Sequence, residues 1–203
     1  MSELKPKRGR PASIDKEAAL QSMVELFRSK GFAAVSLDDL SSATGLSRPS
    51  LYRAFGNKVS MYIEAIDAFG VQVAHEAAPQ LFATESLTTD ITSFLHAMLT
   101  IYYRDHEITP GCLVFGTAPS AAEEEAIQAR LQFSVEQVDA LMRSRARHAA
   151  PSAGDALIQT VVDIASNTLI AFSARAKSGA SKSELQAMGA RSARAIASLL
   201  GAD

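Results

Sequence analysis

The chain has 203 residues, of which 47% are hydrophobic and 21% charged, and it contains one cysteine, Cys112. This composition is typical of a folded globular protein and excludes a disulfide framework or a zinc site built from several cysteines. No run of about 18 uninterrupted apolar residues occurs, and the basic N-terminus lacks the apolar stretch of a secretory signal. We therefore expect a cytoplasmic protein without a membrane span.

The net charge of −2 is unevenly distributed along the chain. Residues 1–58 carry ten Lys or Arg and six Asp or Glu, a balance of +4, which leaves −6 for residues 59–203. A basic N-terminal part on an acidic remainder predicts a polyanionic partner for the N-terminal part alone.

Three short helices are predicted in the first 56 residues. The first ends at Gly31, since glycine is common at helix C-termini. The second follows Ser36, a residue suited to capping, and ends at Gly45. The third covers about 48–55, with Pro49 in its first turn, where a missing N–H costs nothing. Two short helices joined by a tight glycine turn are typical of a helix-turn-helix unit.

The rest of the chain has helical periodicity and no convincing strand pattern. Helices are predicted over about 58–83, 88–105, 121–148, 155–177 and 182–200. We expect the first of these to be interrupted or to end near Pro79, and residues 110–119 to be the least regular part. The predicted fold class is all-α, with an N-terminal three-helix helix-turn-helix domain and a C-terminal helical domain for ligand binding and dimerisation.

The segment 36–55, SLDDLSSATGLSRPSLYRAF, resembles the DNA-binding signature of the TetR family of transcriptional regulators. It combines, at fixed spacing, the apolar anchors Leu37, Leu40, Ala43 and Leu46, the turn glycine Gly45, the cap Ser47 and the pattern Leu51-Tyr52-x-x-Phe55. The resemblance covers about a quarter of the chain. It implies a basic N-terminal arm at 1–12, a helix-turn-helix DNA-binding domain at 13–57 and a regulatory, ligand-binding and dimerisation domain at 58–203.

The function that this resemblance implies is sequence-specific binding to a palindromic double-stranded operator. The expected protein is a repressor that a small-molecule inducer releases from DNA. A recognition helix points its N-terminal turn at base edges in the major groove, which places Arg48, Pro49 and Ser50 nearest the bases. Arg48 is suited to a bidentate contact with guanine. We assign Leu40, Leu46, Leu51 and Phe55 to the core of the small domain.

Other residues of the N-terminal part are expected to contact the DNA backbone. Equivalents of Tyr52 bind phosphate in the family, and Arg53 lies beside it. Lys58 stands at the start of the next helix, where its ammonium and free backbone N–H groups can face one phosphate. Ser36 and Ser47 each carry a hydroxyl group that can cap a helix and also reach a phosphate. Candidates for a minor-groove arm are Arg8 and Arg10, the alternative being a solvated tail.

In the family, the C-terminal domain holds the inducer pocket, and the last two helices form a four-helix bundle in a homodimer. Pocket candidates are apolar or aromatic residues on the intervening helices, the alternative being ordinary core: Phe69, Phe94, Met98, Tyr102, Cys112, Phe115 and Phe133. The wide apolar face of 157–172 and the small residues of 185–199 support a dimer independently. The predicted interface residues are Leu157, Val161, Ile164, Thr168, Phe172, Leu185, Met188, Ile196 and Leu199.

Cys112 lies in a Gly-Cys-Leu stretch like that of a subset of TetR-like regulators. It is interpreted as a packed structural residue; the alternative, an electrophile or redox sensor, requires a depressed pKa and access. The nearest cationic residues in sequence are Arg104 and His106. A third reading makes Cys112 the nucleophile of a hydrolase with a histidine base. Because nothing local pairs these groups, and no phosphate loop, acid pair or metal motif is present, we expect no enzyme, no cofactor and no metal.

Overall fold

The computed structural model describes residues 15–104, 109–117 and 124–202, and every regular element in these ranges is helical. The helices are α1 (Lys16–Ala34), α2 (Leu37–Thr44), α3 (Arg48–Phe55), α4 (Lys58–Glu76), α5 (Leu87–Tyr103), α6 (Leu113–Thr117), α7 (Glu125–Ala149), α8 (Asp155–Lys177) and α9 (Lys182–Leu200). A 3-10 helix over Ala78–Phe82 joins α4 to α5. The prediction of an all-α chain is confirmed.

Local capping positions the helices of the N-terminal part. The regular portion of α1 ends at Gly31, whose φ of 76° is not helical. At the start of α2, the Ser36 hydroxyl accepts from the Asp39 N–H at 3.1 Å, and the Asp39 carboxylate accepts from the Ser36 N–H at 2.9 Å. Gly45 ends α2 in the left-handed region at φ 68°, which glycine adopts without steric cost. These three predictions of helix boundaries are confirmed.

The start of α3 differs from the prediction in one detail. Ser47 occupies the N-cap position, but its hydroxyl lies 3.0 Å from that of Ser50 and caps no backbone N–H. The Ser47 carbonyl instead accepts from the Ser50 N–H at 2.9 Å, and Pro49 brings no N–H that needs a partner. The first turn therefore needs fewer side-chain acceptors, and the prediction of a Ser47 side-chain cap is wrong.

Helix α4 completes the core of the N-terminal part by packing against α1. Phe27 of α1 and Tyr62 of α4 meet edge to face, with 4.8 Å between ring centroids. Leu40, Leu51 and Phe55 are buried in the same cluster, as predicted, whereas Leu46 is half-buried. Because buried residues continue along α4 into the other helices, the chain has one continuous core.

The C-terminal part is built on α5, which packs against α9, while α8 packs against both α7 and α9. The bounds of α8 and α9 agree with the predicted 155–177 and 182–200. Helix α4 ends at Glu76, and Pro79 falls in the 3-10 helix. The short helix α6 was not predicted, since it lies within the stretch 110–119 that was expected to be irregular.

Among the described helices, α8 alone is long and apolar enough to cross a membrane, by length and composition only. Nearly half of its most apolar stretch is buried inside the protein, and Asp163 places a charged residue within that stretch. A packed core helix of a folded domain has the same composition, and the contacts of α8 with α7 and α9 are of that kind.

Candidate nucleic-acid interface and ligand cavity

Helix α3 has one buried face and one exposed face. Leu51 and Phe55 point into the core, because residues four apart lie on the same side of a helix. The opposite side exposes Arg48, Pro49, Tyr52 and Arg53, while Ser50 is half-buried. Tyr52 is 48% exposed, an unusual position for an aromatic side chain that serves only the core. The predicted DNA-reading residues thus share one accessible surface.

Arg48 is held by Asp38 across the turn. Its Nε and Nη2 both donate to Asp38 Oδ1, at 2.8 and 2.5 Å. This ion pair raises the pKa of Arg48 further above its ordinary value, so the guanidinium stays charged. Asp38 was not among the predicted site residues, because a contact between residues ten positions apart forms only once the turn is folded.

Lys58 begins α4, next to the cap Asn57, whose side-chain oxygen accepts from the Ser60 N–H at 2.9 Å. The Lys58 ammonium lies 4.5 Å from the centroid of the Phe32 ring. Partial burial lowers the pKa of Lys58 below its ordinary value. A cation at a helix N-terminus adds to the positive end of the helix dipole, which favours an anion there.

Four further residues were predicted to contact DNA: Ser36, Ser47, Arg8 and Arg10. The Ser36 hydroxyl donates to Asp39 Oδ2 at 2.6 Å, so its proton is already used within the capping box. Ser47 is exposed beside α3. Arg8 and Arg10 lie outside the described residues.

A cavity of about 430 Å³ lies between α4, α6 and α7. Five of the seven predicted pocket residues line it: Phe69, Met98, Cys112, Phe115 and Phe133. Phe94 and Tyr102 do not, because both are fully buried inside the core on α5. Aromatic character alone did not distinguish the core face of α5 from the cavity wall.

The polar groups of the cavity wall were missed by sequence reasoning. Arg130, Ser134 and Gln137 line the cavity from α7, at positions that share one helix face, and Asp67 faces them from α4. Arg130 Nε donates to the Asp67 carboxylate, and its guanidinium lies 4.7 Å from the centroid of the Phe133 ring. The spacing was present in the sequence, but which face of α7 meets the cavity depends on how the helices pack.

Cys112 is on the cavity wall just before α6 and is 2% exposed. Burial raises the pKa of its thiol, and the neighbouring Tyr102 hydroxyl and the Phe115 N–H partly oppose that rise. The fold also brings charges near the thiol that are distant in sequence, since Arg28 and Lys177 both interact with it electrostatically. The described residues contain no group of three His, Cys, Asp or Glu side chains placed to hold a metal.

Arg28 joins the N-terminal helices to this wall. It is 2% exposed, and its Nε donates to the Gly111 carbonyl while its Nη2 donates to the Tyr102 carbonyl, both at 2.9 Å. Its Nη1 donates to Glu25 at 2.6 Å. Because Gly111 precedes Cys112, one buried arginine on α1 connects the helix-turn-helix with the wall of the cavity.

The exposed faces of α8 and α9 differ from the predicted interface. Four predicted interface residues are buried within the chain, where they pack between its own helices: Val161, Phe172, Leu185 and Ile196. Thr168 is also buried, and its hydroxyl donates to the Ile164 carbonyl. Leu199 is exposed, as is Ile170, which was not predicted. Leu157, Ile164 and Met188 are half-buried. Both helices are apolar on more than one side, so composition did not indicate which side faces outward.

Residues 20–65 match the sequence model of the bacterial regulatory proteins of the tetR family. The transcriptional repressor BdcR of Escherichia coli K12 is 27% identical over 195 residues, covering 95% of this chain and 94% of BdcR. The repressor ComR of the same organism is 29% identical over 121 residues, which are 60% of this chain and 58% of ComR. That match therefore spans less than two thirds of ComR.

Among solved structures, a cysteine mutant of the TetR-family regulator CifR, complexed with 26-bp double-strand operator DNA, superposes with a TM-score of 0.81. It is 26% identical, and the match covers 92% of this chain and 99% of CifR. These relatives are regulators and not enzymes, so the hydrolase alternative is discarded. The family match over residues 20–65 and the likeness of nearly the whole chain to BdcR and CifR together support a TetR-family transcriptional regulator.

Proposed function

We propose that the protein is a homodimeric repressor that leaves its operator when a small, largely apolar molecule enters the cavity between α4, α6 and α7. The observation that carries this proposal is the Arg28 contact, which ties the cavity wall at Gly111 to helix α1. A ligand that displaces this wall acts on the helices that hold α3. The size of the response is limited by the difference in ligand affinity between the two arrangements.

The DNA-binding domain in this proposal is 13–57, with 1–12 as its arm and 58–203 as the regulatory domain. Arg48, Pro49 and Ser50 face base edges, whereas Tyr52, Arg53 and Lys58 face phosphates. The operator complex of the similar regulator CifR supports this placement of α3. A regulator of this kind works where the chromosome is, so we place it in the bacterial cytoplasm.

The dimer in this proposal forms through the exposed sides of α8 and α9. Ile170 and Leu199 are 45% and 47% exposed, and such large apolar side chains on neighbouring helices favour a partner surface. Two copies place two recognition helices about one DNA turn apart, which matches a palindromic operator. Ile170→Glu is expected to give monomers in size-exclusion chromatography with light scattering, and an unchanged dimer would contradict this surface.

The wall chemistry favours a ligand with an apolar body and a head that accepts hydrogen bonds. Most lining residues are apolar, while the polar ones lie on one face of α7 and at Asp67. The Asp67 carboxylate accepts a hydrogen bond from Arg130 Nε, so the two terminal nitrogens of the Arg130 guanidinium remain as donors. Ser134 gives its proton to the Arg130 carbonyl at 2.9 Å and so adds no donor. A carboxylate or carbonyl oxygen fits the remaining donors.

DNA binding is tested by selecting bound duplexes from a random pool and measuring affinity by fluorescence anisotropy. Arg48→Ala and Tyr52→Ala are expected to weaken operator binding, while Arg143→Ala, on an exposed arginine of α7, is the matched control and leaves it unchanged. Affinity falls steeply with added salt, because phosphate contacts release counterions. Unchanged affinity in Arg48→Ala and Tyr52→Ala, or a flat salt profile, would contradict the placement of α3.

The cavity is tested with two probes of equal chain length, octanoate and octylamine. Octanoate is expected to raise the melting temperature and to weaken operator binding, and octylamine to do neither. Arg130→Met should abolish the difference between the probes, whereas Arg143→Met should preserve it. Equal effects of both probes on the wild-type chain would contradict the ligand chemistry.

A second candidate function, sensing of electrophiles by Cys112, is favoured by the position of the thiol on the cavity wall near Arg28 and Lys177. Its burial and raised pKa act against it. In this case Cys112→Ser binds the operator normally but is no longer released by N-ethylmaleimide. Equal release of Cys112→Ser and wild type would remove this candidate.

A further inference from the structure

Two neighbouring carboxylates at the start of α2 have different partners. Asp39 closes the capping box with Ser36 and accepts from Lys30 at 2.6 Å. Asp38, one residue earlier, takes no part in the cap and accepts two hydrogen bonds from Arg48. Helix capping therefore explains Asp39, whereas Asp38 contributes to α2 only a charge in its first turn, which does not require a contact with Arg48.

The contact uses one particular edge of the Arg48 guanidinium. Nε and Nη2 both point at Asp38 Oδ1, so the edge formed by Nη1 and Nη2 remains open. Guanine offers N7 and O6 side by side in the major groove, and two donors on one guanidinium edge match them. The ion pair thus holds Arg48 while leaving the edge that suits a guanine.

The position of Asp38 is otherwise unfavourable for a DNA-binding surface. Its side chain is 72% exposed and that of Arg48 is 54% exposed, so the carboxylate stands beside the residue expected to meet DNA. A negative charge there repels phosphates. In return, an arginine held in place before binding loses less conformational freedom on contact with a base.

We propose that Asp38 determines specificity, by holding Arg48 toward a guanine and by weakening, through its charge, the binding of DNA that lacks this guanine. The inference rests on the proposed placement of α3 in the major groove. It assigns to Asp38 a positioning role that acts through Arg48.

The test compares affinities for the selected operator, for duplexes with single guanines of each half-site replaced, and for a scrambled duplex. The guanine read by Arg48 is the one whose replacement no longer matters in Arg48→Ala. At that guanine, Asp38→Asn is expected to lower discrimination about tenfold and to bind the scrambled duplex more tightly than wild type. Asp38→Glu keeps the charge but changes the reach, so it lowers discrimination with a smaller gain on scrambled DNA.

Glu17→Gln is the matched control, because it removes one exposed carboxylate from α1 of the same domain without touching Arg48. It is expected to change the affinities for all duplexes by the same factor. If Asp38→Asn does the same, Asp38 contributes only charge and the inference is wrong, although the proposed function stands. If Arg48→Ala keeps full discrimination at every guanine, the placement of α3 itself fails.

Discussion

Two buried arginines at opposite ends of α5 show how the same side chain serves different purposes. Arg145, 1% exposed on α7, donates to Asp90 at 2.9 Å near the start of α5. Arg28, 2% exposed on α1, donates to the backbone carbonyls of Tyr102, at the end of α5, and Gly111. Asp90 and Tyr102 are separated by about 18 Å along the helix.

The difference lies in what accepts the hydrogen bonds. Asp90 neutralises the charge of Arg145. Its carboxylate also accepts from the Thr84 N–H and hydroxyl, at 2.9 and 2.8 Å, so both of its oxygens have partners at the start of α5. Arg28 is paired with Glu25 of its own helix, but the acceptors that it reaches on other segments are the neutral carbonyls of Gly111 and Tyr102, beside the cavity wall. Arg145 joins α7 to α5, whereas Arg28 joins α1 to the cavity wall, which in the proposed function a ligand displaces.

The largest effect is expected from breaking the buried ion pair between Arg145 and Asp90. Arg145→Met leaves the Asp90 carboxylate buried without its cation, and the free energy of unfolding should fall by about 3–5 kcal/mol. Denaturation in urea followed by circular dichroism measures this. The control Arg143→Met, two residues away on an exposed arginine bonded to Gln159, should change it by less than about 0.5 kcal/mol. Equal effects of the two variants would mean that Asp90 does not depend on Arg145.

A smaller loss of stability, together with a change in regulation, is expected at the other end. Arg28→Met removes a donor from two neutral carbonyls and leaves that of Gly111 unpaired, which costs about 1–3 kcal/mol, whereas the Tyr102 carbonyl keeps the Thr109 hydroxyl as a donor. The ratio of operator affinities without and with octanoate should fall toward one, while octanoate itself still binds. If octanoate binds Arg28→Met and still releases operator as it does from wild type, Arg28 carries no coupling.

The smallest effect is expected from the exposed ion pair between Glu76 and Arg104, which takes part in neither of the two buried arginine contacts. The Arg104 guanidinium holds the pKa of Glu76 below its ordinary value of 4.5. The stabilisation is therefore present at pH 7 and is lost as the pH falls below 4.5 through the lowered pKa. Glu76→Gln should cost less than about 1 kcal/mol at pH 7, because both side chains are substantially exposed.

Urea denaturation at pH 7 and pH 3 checks this dependence, since the difference between Glu76→Gln and wild type should shrink at the lower pH. Glu136→Gln, on an exposed carboxylate bonded to the neutral Gln132 amide, is the matched control. A loss in Glu76→Gln that is as large at pH 3 as at pH 7 would show that the ion pair is not its origin.

The sequence predicted the helix-turn-helix to within a residue or two because its signals are local. The capping serine Ser36 and the glycine Gly45 act within a few positions of themselves, and the spacing of Leu51 and Phe55 alone defines the buried side of α3. The contact of Asp38 with Arg48 was not predicted, since it forms only after the turn brings two helices together.

The C-terminal part was predictable in its helix bounds but not in its faces. Val161 and Ile196 are apolar whether a partner copy or the chain itself covers them, and the structure shows that the chain covers them. Likewise, Arg130 and Arg28 were not among the predicted site residues, because only the packing of α7 and α1 brings them to the cavity and its wall.

The link through Arg28 has a consequence for what the protein is able to sense. Guanidinium groups and backbone carbonyls do not gain or lose protons in the physiological pH range. Both acceptors are main-chain carbonyls, so the hydrogen bonds do not depend on an acceptor side chain. At Gly111 there is also no room for a side chain, because a Cβ there would come within 2.8 Å of Ser173 Oγ. In the proposed function, a change of pH in the physiological range therefore leaves the hydrogen bond between Arg28 and the Gly111 carbonyl in place, whereas displacement of the cavity wall breaks it.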